Sequence, residues 1–105
     1  MFKAIAGQVA LVSGAGSEKG IGMAIARRLG AAGVKLIVTA SSARIAERVA
    51  ELRAAGFEAE GRAVDLTDEA QTQAFAEWAE ACWGQIDILV NNAGMTMLGL
   101  SLIHI

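Results

Sequence analysis

Residue types that define several common protein classes are rare or missing in this chain. Its 105 residues include no proline, no tyrosine, one cysteine and one histidine. A single cysteine, Cys82, excludes an internal disulfide and a cysteine-built metal site, and it suits a reducing compartment. Cys82 lies among apolar residues of a predicted helix, so we expect it to be a packing residue. The lack of proline allows regular secondary structure throughout but indicates no function.

Charge and hydropathy exclude two further classes. Nine basic residues stand against eleven acidic ones, which gives a net charge of -2, and no run of lysine and arginine occurs. Nucleic acid is therefore not an expected partner. No segment approaches the roughly 18 consecutive apolar residues of a membrane span, and the apolar stretch in residues 1–7 is too short for a signal peptide. With 54% hydrophobic residues, the sequence predicts one globular, cytoplasmic domain that does not bind membranes.

Short apolar runs and amphipathic segments alternate along the chain. The predicted strands cover residues 9–12, 34–39, 57–64 and 86–90. The predicted helices cover residues 21–32 and 43–55, and a third helix follows the capping segment 67–69 and ends at Gly84. Strands that alternate with helices through short links predict right-handed crossovers and a parallel sheet covered by helices. The predicted fold class is therefore α/β, a doubly wound parallel sheet in the order βαβαβαβ.

Apolar residues at three- and four-residue spacing predict which face of each helix turns inward. The inward residues predicted in this way are Ile21, Ala24, Ile25 and Leu29 in the first helix, Ile45, Val49 and Leu52 in the second, and Ala70, Ala74, Phe75, Trp78 and Cys82 in the third.

A glycine-rich loop joins the first strand to the first helix. It reads Ser13-Gly14-Ala15-Gly16-Ser17-Glu18-Lys19-Gly20-Ile21-Gly22. Glycine lets the backbone turn sharply and approach a ligand closely, and the N-terminus of a helix attracts a diphosphate. In this strand-loop-helix context the loop predicts a dinucleotide site. Glycines that only link two elements are the structural alternative.

The end of the second strand indicates which dinucleotide is bound. A carboxylate there would bind the 2′-hydroxyl of the adenosine ribose, but the sequence reads Thr39-Ala40-Ser41-Ser42-Ala43-Arg44. Hydroxyl groups and an arginine, together with Lys19 in the glycine loop, suit the extra charge of a 2′-phosphate. We therefore expect NADP rather than NAD. The alternative is that Ser41 or Ser42 only caps the second helix and that Arg44 is solvated.

Three motifs, in order, spacing and strand context, resemble the short-chain dehydrogenase/reductase (SDR) family, whose fold is the Rossmann-type doubly wound sheet. They are Ser13-Gly14 followed by Gly20-Ile21-Gly22, then Val64-Asp65-Leu66-Thr67, then Asp87-Ile88-Leu89-Val90-Asn91-Asn92-Ala93-Gly94. The resemblance extends over nearly the whole chain, and the Asn-Asn-Ala-Gly segment is its most specific part. The strand end Thr39-Ala40-Ser41 is most similar to that of the family's 3-oxoacyl-carrier-protein reductases.

The resemblance implies where a cofactor would bind. The Asp65 carboxylate can accept hydrogen bonds from the adenine amino group, while capping of the third helix beside Asp68 is the alternative role. The expected cofactor-binding residues are Gly14, Ser17, Lys19, Gly20, Ile21 and Gly22 in the loop and first helix, Ser41 and Ser42 after the second strand, Asp65 and Leu66 beside adenine, and Asn92, Ala93 and Gly94 beside the cofactor's ribose.

Two features depart from the family pattern. Ser13 replaces the usual threonine but keeps the hydroxyl group, and five residues separate Gly14 from Gly20 where three are common. The family's catalytic serine, tyrosine and lysine lie beyond the fourth strand, and the chain contains no tyrosine, so we assign no catalytic residue. Hydride chemistry needs a group that exchanges the substrate proton, so we expect this truncated chain to bind cofactor without turnover.

The resemblance also implies a function for the whole protein. It would transfer hydride between NADP(H) and a small-molecule carbonyl or alcohol substrate, with a 3-oxoacyl thioester as a candidate, and it would form a homodimer or homotetramer. The alternative is a non-catalytic nucleotide-binding regulatory module of the same fold. Residues 1–105 are expected to form one partial NAD(P)-binding domain. Within it residues 101–105 are expected to be a non-native tail, with His104 in a frayed end.

Overall fold

A parallel sheet with helices on both faces makes up the described part of the chain. The computed structural model describes residues 5–92 and 103–104. The elements in chain order are β1 (Val9–Val12), α1 (Ile21–Ala31), β2 (Lys35–Ala40), α2 (Ile45–Ala54), β3 (Ala59–Ala63), α3 (Glu69–Trp83), β4 (Ile88–Val90) and β5 (Ile103–His104). The strand order is β3-β2-β1-β4-β5, and every pairing is parallel. The predicted α/β, doubly wound fold is thereby confirmed.

The chain reverses its direction across the sheet after β3, because β4 lies on the opposite side of β1 from β2. Right-handed crossovers then place α1 and α2 on one face of the sheet and α3 on the other. The two apolar layers agree with this arrangement: Met23 of α1 and Leu52 of α2 share one layer, and Phe75 and Ala79 of α3 belong to the other. A reversal of this kind opens a crevice at the carboxyl ends of the strands, where such sheets bind ligands.

The inward face of α1 differs from the predicted one. Its buried residues are Gly22, Met23 and Ala26, whereas Ile21 is 68% exposed. Of the rest of the predicted stripe, Ala24 is exposed, and Ile25 and Leu29 are partly buried. The reason is the close packing of Gly22: a Cβ atom there would lie 2.5 Å from the carbonyl oxygen of Gly14. This contact turns the glycine face of the helix toward the sheet.

This orientation of α1 leaves a groove of about 510 Å³ between the helix and the end of β4. Its lining is mostly apolar and consists of Ile21, Ala24, Ile25, Arg28, Leu29 and Val90.

The second helix matches its predicted face but contains a buried charge that the pattern did not reveal. Ile45, Val49 and Leu52 are buried as predicted, and Arg48 is buried with them at 8% exposure. The Arg48 Nη2 atom lies 2.7 Å from Glu51 Oε2, and Arg27 of α1 lies 3.6 Å from Glu51 Oε1. The shared carboxylate therefore links α2 to α1 and compensates part of the cost of burying a guanidinium group.

The third helix begins and ends at the predicted signals. Asp68 caps it by accepting a hydrogen bond from the Gln71 N–H, and Gly84 ends it in the left-handed conformation. Phe75 is buried as predicted, and Trp78 and Cys82 pack against the apolar layer. Ala70 and Ala74, predicted to face inward, are exposed, and Ala76 and Ala79 are buried in their place. Burial, with a smaller contribution from Glu60, raises the pKa of the Cys82 thiol. This environment agrees with the predicted packing role.

The strands after α2 are shorter than predicted. Asp87, predicted to lie within the fourth strand, lies just before β4. Its Oδ2 atom accepts the Val9 N–H at 2.9 Å and so caps the start of β1. His104, expected in a frayed end, is instead part of a short fifth strand, in which Ile103 and His104 pair with Ile88 and Leu89. The expected non-native origin of residues 101–105 stays a prediction. None of the helices within residues 5–92 is long and apolar enough to cross a membrane.

Met23 and Ile21 provide a direct test of the orientation of α1. Met23→Ala should lower the free energy of unfolding by about 2 to 5 kcal/mol, because it leaves a cavity in the core. Ile21→Ala should change it by less than about 1 kcal/mol, since this side chain is exposed. Urea unfolding followed by circular dichroism measures both values. A larger loss for Ile21→Ala than for Met23→Ala would show that the predicted stripe faces the core after all.

Candidate functional site

The glycine loop turns back toward α1 immediately after β1. Gly14 adopts a left-handed conformation with φ of 69°, which favours glycine because it has no Cβ atom. Gly20 is the N-cap of α1 and supplies no side-chain hydrogen bond, and the first turn contains no acidic residue. The first N–H groups of a helix have no intrahelical acceptor, so this end of α1 presents donors and a positive dipole to an anion.

The extra length of the loop is folded into a compact turn. The Gly20 N–H donates to the Ser17 carbonyl oxygen at 3.2 Å, and a Cβ atom on Gly20 would lie 3.2 Å from the Ser17 Cβ atom. Ser17 and Lys19 are exposed on this turn, and Ile21 follows it as the first residue of α1. The side chains of Ser17 and Lys19 are therefore in solvent, while the backbone of the turn packs at the start of α1.

A pocket of about 460 Å³ lies at the carboxyl ends of β1, β2 and β3. A volume of this size falls within the range of small-molecule sites. The pocket brings together the predicted residues Gly14, Ser41, Ser42, Asp65 and Leu66. Four further lining residues, Gly16, Ala40, Val64 and Thr67, were not among the predicted site residues.

Hydrogen bonds around the end of β2 join the three loops of this pocket. The Ala15 N–H donates to the Thr39 carbonyl oxygen at 3.0 Å, and the Val64 N–H donates to the Ala40 carbonyl oxygen at 2.9 Å. The Thr39 hydroxyl donates to the Arg62 carbonyl oxygen at 2.8 Å. Because Thr39 and Ala40 hold both neighbouring loops, the position of the following serines is fixed relative to the glycine loop.

Ser41 and Ser42 remain exposed at the rim of the pocket. Neither is the N-cap of α2, which is Arg44, although the Ser42 Oγ atom accepts the Arg44 N–H at 3.1 Å. The Ser42 hydroxyl hydrogen is not used in that bond and can still be donated. Hydroxyl groups therefore border this side of the pocket, and the one carboxylate among the lining residues is that of Asp65 after β3. Arg44 is exposed and follows these serines in the chain, but it is not a lining residue.

Asp65 forms the opposite polar wall. Its Oδ1 atom accepts the Thr67 N–H at 3.0 Å and the Thr67 hydroxyl at 2.5 Å. These bonds, the side-chain one first, lower the pKa of the fully exposed Asp65 carboxyl. Both hydrogen bonds end on Oδ1, and within residues 5–92 the structure shows no hydrogen bond to the Oδ2 atom. Asp68, and not Asp65, caps α3.

The end of β4 contacts the glycine loop from the other side. The Ser13 hydroxyl donates to the Asn91 Oδ1 atom at 3.2 Å, and the Asn92 Nδ2 atom donates to the Gly14 carbonyl oxygen at 3.3 Å. The serine that replaces the usual threonine therefore uses its hydroxyl to join the two motifs. Asn92 thus contacts the loop, and its expected place beside the cofactor's ribose stays a prediction. Ala93 and Gly94 lie outside the described residues.

Comparison with known proteins agrees with these motifs. The profile of the short chain dehydrogenase family matches residues 8–102. The ketoacyl reductase 1 of the granaticin polyketide synthase from Streptomyces violaceoruber is 49% identical over 87 residues, which is 82% of this chain and 31% of that protein. The 3-oxoacyl-[acyl-carrier-protein] reductase of Escherichia coli strain K12 is 42% identical over 90 residues, 86% of this chain and 35% of that protein. The chain thus spans about a third of the length of these relatives.

Solved structures of other proteins share the same fold. A metagenomic short-chain oxidoreductase in complex with NADP matches with a TM-score of 0.78 and 43% identity, over 91% of this chain and 43% of that one. A short chain dehydrogenase/reductase from Burkholderia phymatum in complex with NAD matches with a TM-score of 0.77 and 37% identity, over 86% of this chain and 31% of that one. Similar proteins therefore contain either nicotinamide dinucleotide.

Removing the Thr67 hydroxyl tests the electrostatics of Asp65. Thr67→Val should raise the pKa of Asp65 toward its ordinary value, because the larger of the two stabilising hydrogen bonds is lost. Carbon-detected NMR titration of the Asp65 carboxyl measures the shift, and Thr72→Val on α3 is the matched control because the Thr72 hydroxyl bonds to the Asp68 carbonyl oxygen instead. In the unaltered chain this interaction stabilises the fold at pH values above the ordinary pKa of aspartate. That stabilisation is lost as the pH falls through the lowered pKa of Asp65. An unchanged titration in Thr67→Val would contradict the assignment.

Proposed function

The chain belongs to the short chain dehydrogenase family, and from that premise we propose that it forms the cofactor-binding part of an NADP-dependent oxidoreductase. The observation that supports this most is the pocket at the ends of β1, β2 and β3, where the glycine loop faces the two serines after β2. Such a crevice beside a helix N-terminus suits an adenosine with its diphosphate.

The residues present fit the adenosine half of a dinucleotide. The pocket wall at the loop is made by Gly14 and Gly16, so backbone rather than side chains borders the space that a diphosphate would approach. In the proposed complex the first turn of α1 binds the diphosphate, with Gly20, Ile21 and Gly22 at its start and Ser17 and Lys19 on the adjoining turn. A nicotinamide dinucleotide bound there supplies the hydride chemistry.

Adenine fits the wall formed by Asp65 and Leu66. The Asp65 carboxylate is charged at neutral pH, as an aspartate of ordinary pKa also is, and its hydrogen bonds lower that pKa further. Its Oδ2 atom can accept the amino hydrogens of adenine. Asn92, Ala93 and Gly94 are proposed to adjoin the cofactor's ribose, with Asn92 oriented by its bond to the Gly14 carbonyl oxygen.

The proposed preference for NADP rests on the charge around the end of β2. Ser41 and Ser42 offer hydroxyl groups, and Arg44 and Lys19 offer positive charge for a 2′-phosphate. An NAD-selective site would place a carboxylate against the 2′-hydroxyl, but the pocket's lining residues contain one carboxylate, that of Asp65 after β3.

A change of Ser41 to aspartate tests this preference. By isothermal titration calorimetry the unaltered chain should bind NADPH at least about tenfold more tightly than NADH, because the 2′-phosphate adds charge-assisted hydrogen bonds. Ser41→Asp should weaken NADPH binding by about tenfold or more, because the new carboxylate repels the phosphate. It should leave the affinity for NADH unchanged or increase it. Ser41→Asn is the control of equal size without the charge.

Equal affinity of the unaltered chain for both dinucleotides would refute the NADP preference but leave cofactor binding intact. Binding of neither would refute the proposed function. An identical effect of Ser41→Asp and Ser41→Asn would show that shape, and not charge, determines the choice.

For the whole protein we propose reduction of a small-molecule carbonyl by hydride transfer from NADPH, with a 3-oxoacyl thioester as the candidate substrate. Support comes from the similarity to ketoacyl and 3-oxoacyl reductases. The 105 residues contain no tyrosine to exchange the substrate proton, so the chain alone is proposed to bind without turnover. A cytoplasmic location and a homodimeric or homotetrameric assembly belong to the same proposal. The rival is a nucleotide-binding regulatory module of the same fold.

An assay of the whole protein separates these two functions. We expect NADPH oxidation, followed by absorbance, that depends on an added 3-oxoacyl thioester, and we expect the sequence after this chain to supply a tyrosine and a lysine four residues apart. This chain, assayed at the same concentration, should give no oxidation above background. NADPH binding without turnover of thioester, ketone or alcohol substrates by the whole protein would favour the regulatory module.

A further inference from the structure

The geometry points to Gly16 as a positioning residue for the choice between NADP and NAD, an inference that rests on the proposed function. Gly16 lies in the middle of the glycine loop and lines the pocket beside Ala40. It acts through Ala40, the last residue of β2, and its effect requires the absence of a side chain.

The contact between the loop and β2 is close. A Cβ atom on Gly16 would lie 2.9 Å from the Cβ atom of Ala40, a distance well inside the separation of about 3.5 to 4.0 Å at which carbon atoms pack best. The φ of Gly16 is not in the left-handed range. An alanine at this position is therefore disfavoured by the contact with Ala40 and not by the backbone conformation.

Ala40 cannot move away freely from an added methyl group. Its carbonyl oxygen accepts the Val64 N–H at 2.9 Å, and the preceding Thr39 carbonyl oxygen accepts the Ala15 N–H at 3.0 Å. Relief of the contact must therefore widen the space between the loop and the strand end or displace the residues after Ala40. Ser41 and Ser42 are those residues, and they line the same pocket.

The two dinucleotides depend differently on this spacing. Both place a diphosphate at the loop and the N-terminus of α1. Only NADP carries in addition a 2′-phosphate, which the proposed function places between Lys19 of the loop and the serines after β2. Charge-assisted hydrogen bonds weaken when their partners separate. Wider spacing should therefore weaken the binding of NADPH more than the binding of NADH.

A double-mutant cycle between Gly16 and Ala40 tests the inference. Gly16→Ala should weaken NADPH binding by about tenfold or more and NADH binding by less than about threefold, as measured by calorimetry on the chain. Ala40→Gly removes the atom that the new methyl group would meet, so the double variant Gly16→Ala with Ala40→Gly should return the affinity for NADPH to within about threefold of the unaltered chain.

Gly30→Ala is the matched control. Its Cβ atom would lie 2.7 Å from the ring of Phe57 at the far end of α1, so it creates a similar steric conflict away from the pocket. It should lower the Tm and leave the ratio of NADPH to NADH affinity unchanged. That ratio, rather than the Tm, distinguishes positioning from a general loss of stability.

The outcomes separate this inference from the proposed function. An unaltered chain that binds NADPH, combined with equal losses for both dinucleotides in Gly16→Ala, overturns the inference alone. Failure of Ala40→Gly to restore binding in the double variant also overturns it, and so does a shift of the affinity ratio in Gly30→Ala as large as that in Gly16→Ala. Binding of neither dinucleotide by the unaltered chain overturns the proposed function and the inference with it.

Discussion

The packing of Gly22 against the Gly14 carbonyl oxygen determines how the rest of the site is arranged. A Cβ atom at Gly22 would lie 2.5 Å from that oxygen, so the start of α1 can approach the end of β1 only with glycine at this position. This approach brings the open N–H groups of the helix to the edge of the sheet and buries Met23 and Ala26 beneath it. A helix held further away would lose both the core contacts and the proposed anion site.

The parallel sheet adds the remaining walls of the pocket. Because β1, β2 and β3 run in the same direction, their carboxyl ends meet at one edge. The Ala15 N–H bonds to Thr39 and the Val64 N–H bonds to Ala40, so β2 holds the loops on either side of it. The site therefore depends on the backbone of the strand ends as much as on exposed side chains. Replacement of a rim side chain such as that of Ser41 can change the ligand preference without disturbing these bonds.

Local patterns in the sequence predicted the helices, the strands and the binding motifs. They could not predict fully which helix faces are buried or which residues line the pocket, because nonlocal contacts determine both. Strand-helix alternation and the signals at Asp68 and Gly84 correctly predicted the order and the ends of α3. The periodicity of α1 failed because several of its apolar residues line the groove beside β4, while a glycine packs inward. Gly16 and Ala40 meet across distant parts of the chain, and no periodic pattern records such a contact. The sequence pattern also did not predict that Arg48 is buried. Its partner Glu51 lies on the same helix, but Glu51 also contacts Arg27 of α1, and that contact between helices is nonlocal.

In the proposed complex, the polar groups at the two sides of the pocket favour one orientation of the adenosine. The Asp65 carboxylate would repel a phosphate but could accept the adenine amino group. Ser41 and Ser42 border the side without a carboxylate, and the Ser42 Oγ atom accepts the Arg44 N–H. An adenosine turned end for end would place its phosphate against Asp65 and leave the hydroxyl groups without an anion. In the proposed complex the pocket would therefore select the direction of the nucleotide, with its diphosphate toward the N-terminus of α1.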